Sequence, residues 1–176
     1  MVLKFRFARV AALASLVLLP ALPAAAAQFQ LQAGRSFMDS HGTDAVFVES
    51  VFDEQPIGDS GFSWSPDLSA GWIDGRNLAR YRGAHPGVTD DIWLVAGGAR
   101  FHVGAPDRWY HALFLSEQGV LHTGHTQALS SVGEFATTLG WQGRRFNVEI
   151  RHISNAALHE PNRGETMLLF GIAFGG

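Results

Sequence analysis

The sequence has no cysteine, few charged residues and, after residue 28, no long apolar run. Without cysteine, an exported chain has neither disulfides nor thiolate metal sites. Charged residues make up 16% of the chain, against about 25% in an ordinary soluble domain. No later segment approaches the roughly 18 apolar residues of a membrane-spanning helix. A membrane-spanning β-barrel is still allowed, because its strands need only about 9–11 residues.

Residues 1–27 have the three parts of a secretory signal peptide. Basic residues come first, the apolar stretch Val10 to Leu22 follows, and Ala25 to Ala27 form a small-residue cleavage site. We therefore predict cleavage before Gln28 and a mature domain of residues 28–176. Removing three basic residues and no acidic one takes the formal net charge from −3 to −6, which argues against a nucleic-acid partner.

Apolar and polar residues alternate along most of the mature chain, with the two-residue period of β-strands. Pro66 indicates an irregular or bulged strand, and the Gly- and Pro-rich residues 74–89 indicate a long loop. The sequence therefore predicts an all-β fold of eight antiparallel strands without a helical segment. The predicted strands are residues 28–35, 43–53, 61–73, 91–103, 109–121, 131–142, 145–155 and 165–174.

One face of the predicted strands is apolar, and the other carries Gln, Glu, Arg, Gly, Ser and Thr rather than large apolar groups. A soluble lipocalin-like barrel turns its apolar face inward, whereas an outer-membrane barrel turns it outward. The signal peptide, the many Phe and Trp residues and the low charge favour an eight-stranded antiparallel transmembrane β-barrel. The five Trp residues are then expected at the membrane interfaces. They are Trp64, Trp72, Trp93, Trp109 and Trp141.

The most informative stretch is Arg151 to Thr166, with the sequence RHISNAALHEPNRGET. His152 and Ser154 are two residues apart in a predicted strand, so their side chains point to the same side, with Cα atoms about 6.7 Å apart. Glu165 begins the next strand, about 4.8 Å away, and could reach the other ring nitrogen. Serine, histidine and a carboxylate supply the nucleophile, the base and the orienting group of acyl transfer.

The motif HxSNA followed by PNxGE resembles the closing signature of the PagL-type lipid A 3-O-deacylases, which are outer-membrane β-barrel esterases of Gram-negative bacteria. The resemblance spans His152 to Glu165 and implies a catalytic triad of His152, Ser154 and Glu165. It also matches Asn155 and Asn162. It implies hydrolysis of the 3-position acyl ester of lipid A, with lipopolysaccharide of the outer leaflet as the partner.

The phase of the strands predicts where this site faces. The His–Ser pair is in phase with the apolar residues of its strand, so on a lipid-facing apolar surface it lies outside the barrel. Glu149 and Arg151 would face the lumen and pair with charges from other strands. Glu165 is out of phase with the stronger apolar row of the last strand. Either a bulge near Thr166 turns it outward, or the inferred parity is off by one.

Residues around the triad have weaker interpretations. Asn155 and the backbone N–H groups near Ala156 and Ala157 are candidates for an oxyanion hole. Asn162 and Gly164 are interpreted as loop-forming residues. Arg144 and Arg145 either contact the phosphates of lipopolysaccharide or anchor the membrane edge.

The predicted chemistry requires no metal and no cofactor, and His122-x-x-His125 is interpreted as part of a solvated hairpin loop rather than a metal site. Two other functions stay open. A phospholipase-like outer-membrane esterase would use the same residues on another lipid. A small non-enzymatic barrel, structural or lipid-binding, has no reason to place histidine and serine on its apolar face. The sequence leaves both a monomer and a homodimer open.

Overall fold

The computed structural model describes residues 28–76 and 91–175. The predicted signal peptide, residues 1–27, lies outside the described residues, as does most of the predicted loop 74–89. A 3-10 helix, Trp109–Ala112, precedes β6. Among the described residues, no helix has the length and apolarity to cross a membrane. The described strands are β1 (Gln28–Met38), β2 (His41–Val51), β3 (Gln55–Pro56), β4 (Phe62–Ile73), β5 (Ile92–Val103), β6 (Leu113–His122), β7 (Gly133–Gln142), β8 (Phe146–Ser154) and β9 (Glu165–Phe174).

The strands close into an eight-stranded antiparallel barrel. Sequential strands pair from β4 to β9, β9 pairs with β1, β1 pairs with β2, and β2 pairs with β4. The two-residue β3 extends this wall by pairing with β4 alone. The predicted all-β, eight-stranded antiparallel fold is therefore confirmed. The predicted fifth strand starts later than expected, because residues 109–112 form the 3-10 helix.

The predicted irregularity at Pro66 is wrong, because β4 continues through this residue without a change of register. The carbonyl of Pro66 accepts a hydrogen bond of 3.0 Å from the N–H of Phe52, the first residue after β2. The N–H that proline lacks would therefore face the point where β2 has ended. A proline is tolerated in a strand at such a position because no ladder hydrogen bond is lost.

The apolar residues of the wall face outward and most polar residues face inward. On β1, for example, Gln30 and Gln32 are buried in the lumen, while Phe29 and Leu31 are exposed. This alternation confirms the outward orientation of the apolar face. Trp72 is buried, contrary to the expected interfacial position, and the other four Trp residues are exposed. The exposed Trp residues are Trp64, Trp93, Trp109 and Trp141.

A network of buried ions crosses the middle of the lumen and centres on Glu49 of β2. Its carboxylate lies 3.0 Å from Nη2 of Arg100 and 3.0 Å from Nη2 of Arg151, which reach it from β5 and β8. Arg151 also lies 2.9 Å from Glu149, and Gln32 of β1 donates a hydrogen bond of 2.7 Å to Glu49. The predicted lumenal position of Glu149 and Arg151 is confirmed. Arg151 pairs with a charge from another strand as predicted, whereas the ion-pair partner of Glu149 is Arg151 of its own strand. The network joins four strands across the barrel.

The lumen is apolar towards the end at which β8 finishes. Phe47, Ile153 and Leu169 have no exposed surface there, and residues of the β6–β7 connection complete the packing. The expectation that the inner face lacks large apolar groups is therefore wrong at this end. The cluster consists of Met38, Ala45, Phe47, Ile73, Ile92, Leu94, Ala96, Val120, Ala128, Leu129, Ala136, Ile153, Met167 and Leu169.

Replacing Glu49 with Gln is expected to destabilise the barrel by about 3 kcal/mol or more, because two buried guanidinium groups lose their shared carboxylate. The matched control is Asp44→Asn. Asp44 pairs with Arg35 on the outer surface, where the side chains of Asp44 and Arg35 are 63% and 53% exposed. That change is expected to cost less than about 1 kcal/mol. Urea titration of tryptophan fluorescence measures both variants. Equal unfolding midpoints would show that the ionic network does not hold the barrel closed.

Candidate functional site

His152 lies on the outer face of β8, near the end of the strand, and its side chain is exposed. Thr166 of β9 is its cross-strand neighbour, and the Thr166 hydroxyl lies 2.9 Å from Nδ1 of the ring. When Nδ1 carries the ring proton and donates it to this hydroxyl, Nε2 keeps the lone pair that a general base needs.

Ser154 follows two residues later on the same outer side, at the end of β8. Among the described residues, no hydrogen bond joins its hydroxyl to His152. The ring edge that carries Nε2 nevertheless lies towards the Ser154 end of the strand. A Cβ built on Gly164 would lie 2.6 Å from Cε1 and 3.0 Å from Nε2 of His152, and Gly164 precedes Glu165, the partner of Ile153. The Gly164 backbone thus lies against the His152 ring, and Ser154 lies two residues along β8 on the same side.

Glu165 does not reach His152, and the expectation that it orients the imidazole ring is wrong for this geometry. Its side chain points into the lumen, where it is 2% exposed. Both terminal nitrogens of Arg76 donate to the Glu165 carboxylate, with Nη2 at 2.6 Å from Oε2. The Ser36 hydroxyl donates to the same carboxylate. Of the two alternatives for Glu165, an inferred parity that is off by one residue explains the error. The register between β8 and β9 is continuous, so no bulge turns Glu165 outward.

A strained turn follows Ser154 directly. Ala156 and Ala157 have φ values of +54° and +61°, and the N–H of Leu158 donates to the Asn155 carbonyl at 3.1 Å. A left-handed conformation costs an L-residue roughly 1–2 kcal/mol, and such strain is often found at functional sites. Both alanines are exposed, and their N–H groups form no hydrogen bond within the described part of the chain. They are therefore available as donors to a bound group, as the predicted oxyanion hole requires.

The Asn155 side chain does not fit the predicted role as an oxyanion donor. It is 1% exposed, and its Nδ2 donates to the Ser131 hydroxyl at 2.7 Å and to the His159 carbonyl at 2.8 Å. Both amide hydrogens are thus engaged in holding the loops together. Asn162 accepts a hydrogen bond of 3.3 Å from the Asn155 N–H, which agrees with its interpretation as a loop-forming residue.

Two other predicted groups lie away from this site. Arg144 and Arg145 form the β7–β8 turn at the opposite end of the barrel, roughly 20 Å along β8 from His152, so they do not contact a ligand bound there. His125 is exposed in the β6–β7 loop, as expected. The expectation of a solvated His122 is wrong, because its side chain is buried and its Nε2 lies 3.7 Å from a carboxylate oxygen of Glu134. Within the described ranges, no three His, Asp or Glu side chains converge as metal ligands would.

Comparisons of this chain with protein-family models, with curated proteins and with solved structures found no match.

Replacing Gly164 with Ala is expected to lower the nucleophilic reactivity of Ser154 about 100-fold, because the new Cβ displaces the imidazole ring and a shift of about 1 Å has an effect of that size. The left-handed φ of +68° at Gly164 adds strain to the substitution. The labelling rate of Ser154 with a fluorophosphonate measures the effect. The matched control is Gly133→Ala, since a Cβ there meets no atom within 4 Å. Equal loss in both variants would contradict contact of Gly164 with the base.

Replacing Thr166 with Val is expected to slow the same labelling roughly 10-fold, because a hydrogen bond to the ring is worth about 1–1.5 kcal/mol and each 1.36 kcal/mol is tenfold in rate. Thr166→Ser should restore most of the rate, since it keeps the hydroxyl. Glu165→Gln should change the rate of the folded protein by only a few-fold. The opposite ranking would show that Glu165, and not Thr166, orients His152.

Proposed function

We propose that this chain is an outer-membrane esterase that hydrolyses the 3-position acyl ester of lipid A, with Ser154 as the nucleophile and His152 as the base. The observation that carries the proposal is the position of both residues on the apolar outer face of a closed barrel, where His152 is exposed and Ser154 is half-buried. A substrate reaches that surface from within a lipid leaflet. The likeness of HxSNA and PNxGE to the lipid A 3-O-deacylase signature selects lipid A among lipid esters.

The dimensions of the apolar surface support a membrane location. From Trp93 to Val103, β5 extends about 33 Å, which a strand tilt of about 40° reduces to about 25 Å along the barrel axis. Outer-membrane barrels have an apolar band of about this height, bordered by aromatic residues. Exposed aromatic residues lie near both ends here, with Trp93 at one end and Trp64 and Trp141 at the other.

The lengths of the connections support an outward-facing site. The end of the barrel that carries Ser154 also carries the connections 74–91, 123–132 and 155–164, together with one two-residue turn. The connections at the other end are 52–61, 104–112 and 143–145. Outer-membrane barrels have short turns on the periplasmic side and longer loops outside the cell. The site then lies at the level of the outer leaflet, where lipid A is found.

The proposed mechanism uses an acyl-enzyme. His152 takes the proton of Ser154 on Nε2, and the serine oxygen attacks the ester carbonyl. The N–H groups of Ala156 and Ala157 stabilise the oxyanion. His152 returns the proton to the departing sugar oxygen, and water, activated in the same way, releases the fatty acid. Thr166 keeps the imidazole in the required tautomer throughout.

An apolar groove on the outer wall offers a place for the acyl chain. Its cavity volume is about 360 Å³, and it is open to the surroundings. Leu121 lies at the edge of the groove and pairs with Gly133 of β7. Gly133 lies two residues from Phe135, which pairs with Ser154 of β8. The lining residues are Ala70, Gly71, Trp93, Leu94, Val95, Leu121, His122 and Thr123.

Expression of the chain in Gram-negative cells is expected to produce lipid A that lacks one ester-linked hydroxyacyl chain at the 3-position. Ser154→Ala should abolish this change, because the nucleophile is lost. The matched control is Ser50→Ala, which removes an outward serine from the far end of β2 and should leave the deacylation intact. Mass spectrometry of extracted lipid A measures all three.

Unchanged lipid A in cells that contain the folded wild-type barrel would overturn the lipid A assignment. Release of fatty acids from phospholipids in those cells, dependent on Ser154, would then identify a phospholipase-like enzyme.

A further inference from the structure

One row of polar residues interrupts the apolar outer wall. Glu117 of β6 pairs with Thr137 of β7, Thr137 pairs with His152 of β8, and His152 pairs with Thr166 of β9. All four side chains are exposed on the outer surface. We call these four residues the polar row. The next row towards the opposite end of the barrel is entirely apolar and exposed, and consists of Leu115, Leu139, Ile150 and Leu168.

Glu117 is the member of this row that a purely structural role does not explain. Its carboxylate accepts a hydrogen bond of 2.9 Å from the Thr137 hydroxyl, and it forms no ion pair with any described residue. The other outward carboxylate on a described strand, Asp44, is paired with Arg35. An ionisable group that faces lipid is unfavourable, and such residues usually mark a functional site.

The position of Glu117 relative to His152 indicates what the carboxylate does. The two residues lie on strands one apart, so their backbones are about 10 Å from each other, and the Glu117 side chain extends towards the intervening Thr137. No described cation lies between them. In the low-dielectric surroundings of an apolar wall, a negative charge at this range acts more strongly on a developing positive charge than it would in water.

We infer that Glu117 is the carboxylate that serves His152, in the role that the sequence motif suggested for Glu165. It acts as a positioning residue through its charge, which stabilises the imidazolium that forms when His152 takes the proton of Ser154. The Thr137 hydroxyl holds the carboxylate in place, and Thr166 holds the ring through Nδ1. This inference rests on the proposed function, because it assigns Glu117 to the same Ser154–His152 chemistry.

The test compares purified, refolded variants by their rate of fluorophosphonate labelling at Ser154 and by their kinetics on a water-dispersed acyl ester. Glu117→Gln keeps the hydrogen-bond acceptor for Thr137 and removes the charge. Labelling and kcat are expected to fall roughly 10- to 100-fold, as loss of a charge interaction at this range would cause. KM should stay within a few-fold, since Glu117 does not contact the substrate. Glu117→Asp should recover part of the rate.

Two further variants separate this role from a structural one. Glu117→Leu should lose the labelling rate while the urea midpoint stays equal or rises, because an apolar residue suits the lipid-facing wall better. Thr137→Val combined with Glu117→Leu should label no more slowly than Glu117→Leu alone, because both changes break the hydrogen bond between Thr137 and Glu117. The matched control is Asp107→Asn, which removes an exposed carboxylate from the connection 104–112 at the opposite end of the barrel and should label at the wild-type rate.

The outcomes distinguish this inference from the proposed function. If wild type labels at Ser154 and both Glu117→Gln and Glu117→Leu label as fast, Glu117 has no part in the chemistry and the inference is overturned, whatever the substrate. If the folded wild type neither labels nor hydrolyses an ester, the proposed function fails first. Slow labelling in both Glu117 variants, with partial recovery in Glu117→Asp, supports the inference.

Discussion

The ionic network around Glu49 is the interaction on which this barrel depends. A closed wall of eight strands presents two faces, and one of them must enclose a lumen too narrow for bulk water. The polar face can occupy that lumen because Arg100 and Arg151 share the Glu49 carboxylate. A buried charge without a partner would be strongly destabilising. Once the charges are satisfied inside, the apolar face is free to point outward.

The strand parity that separates the two faces also divides the sequence motif. His152 and Thr166 face outward as direct neighbours, while Ile153 and Glu165 face inward as the next pair. Glu165 therefore joins the lumen side, where its bonds to Arg76 tie the segment after β4 to the interior. The outward pair, His152 and Thr166, belongs to the candidate site. One short stretch thus holds the end of the barrel together on one side and carries the candidate site on the other.

The fold could be predicted from the sequence because the two-residue period is a local signal, and it survives in all eight barrel strands. The outward position of His152 and Ser154 could be predicted from the same period. The hydrogen-bond partner of the His152 ring was not predicted. Thr166 is in phase with the outward residue Leu168, and this phase was the signal that could have identified it. Asn155 is adjacent to Ser154 and was therefore predicted as an oxyanion donor. Its hydrogen bonds to Ser131 and His159 arise from loop packing, which the sequence does not reveal. The apolar layer of the lumen was missed because no single strand contributes more than three of its residues.

A site on the outer wall of a barrel is assembled across strands rather than along the chain. The polar row is bordered by an exposed apolar row, and in the proposed membrane location an unpaired polar group there is unfavourable. The partners must come from the same row of the ladder, as Thr166 does for His152 and Thr137 does for Glu117. Residues 117 and 152 are distant in sequence and are brought together by the register of β6, β7 and β8. A carboxylate for the base is therefore better sought along the polar row than among the residues that follow the histidine.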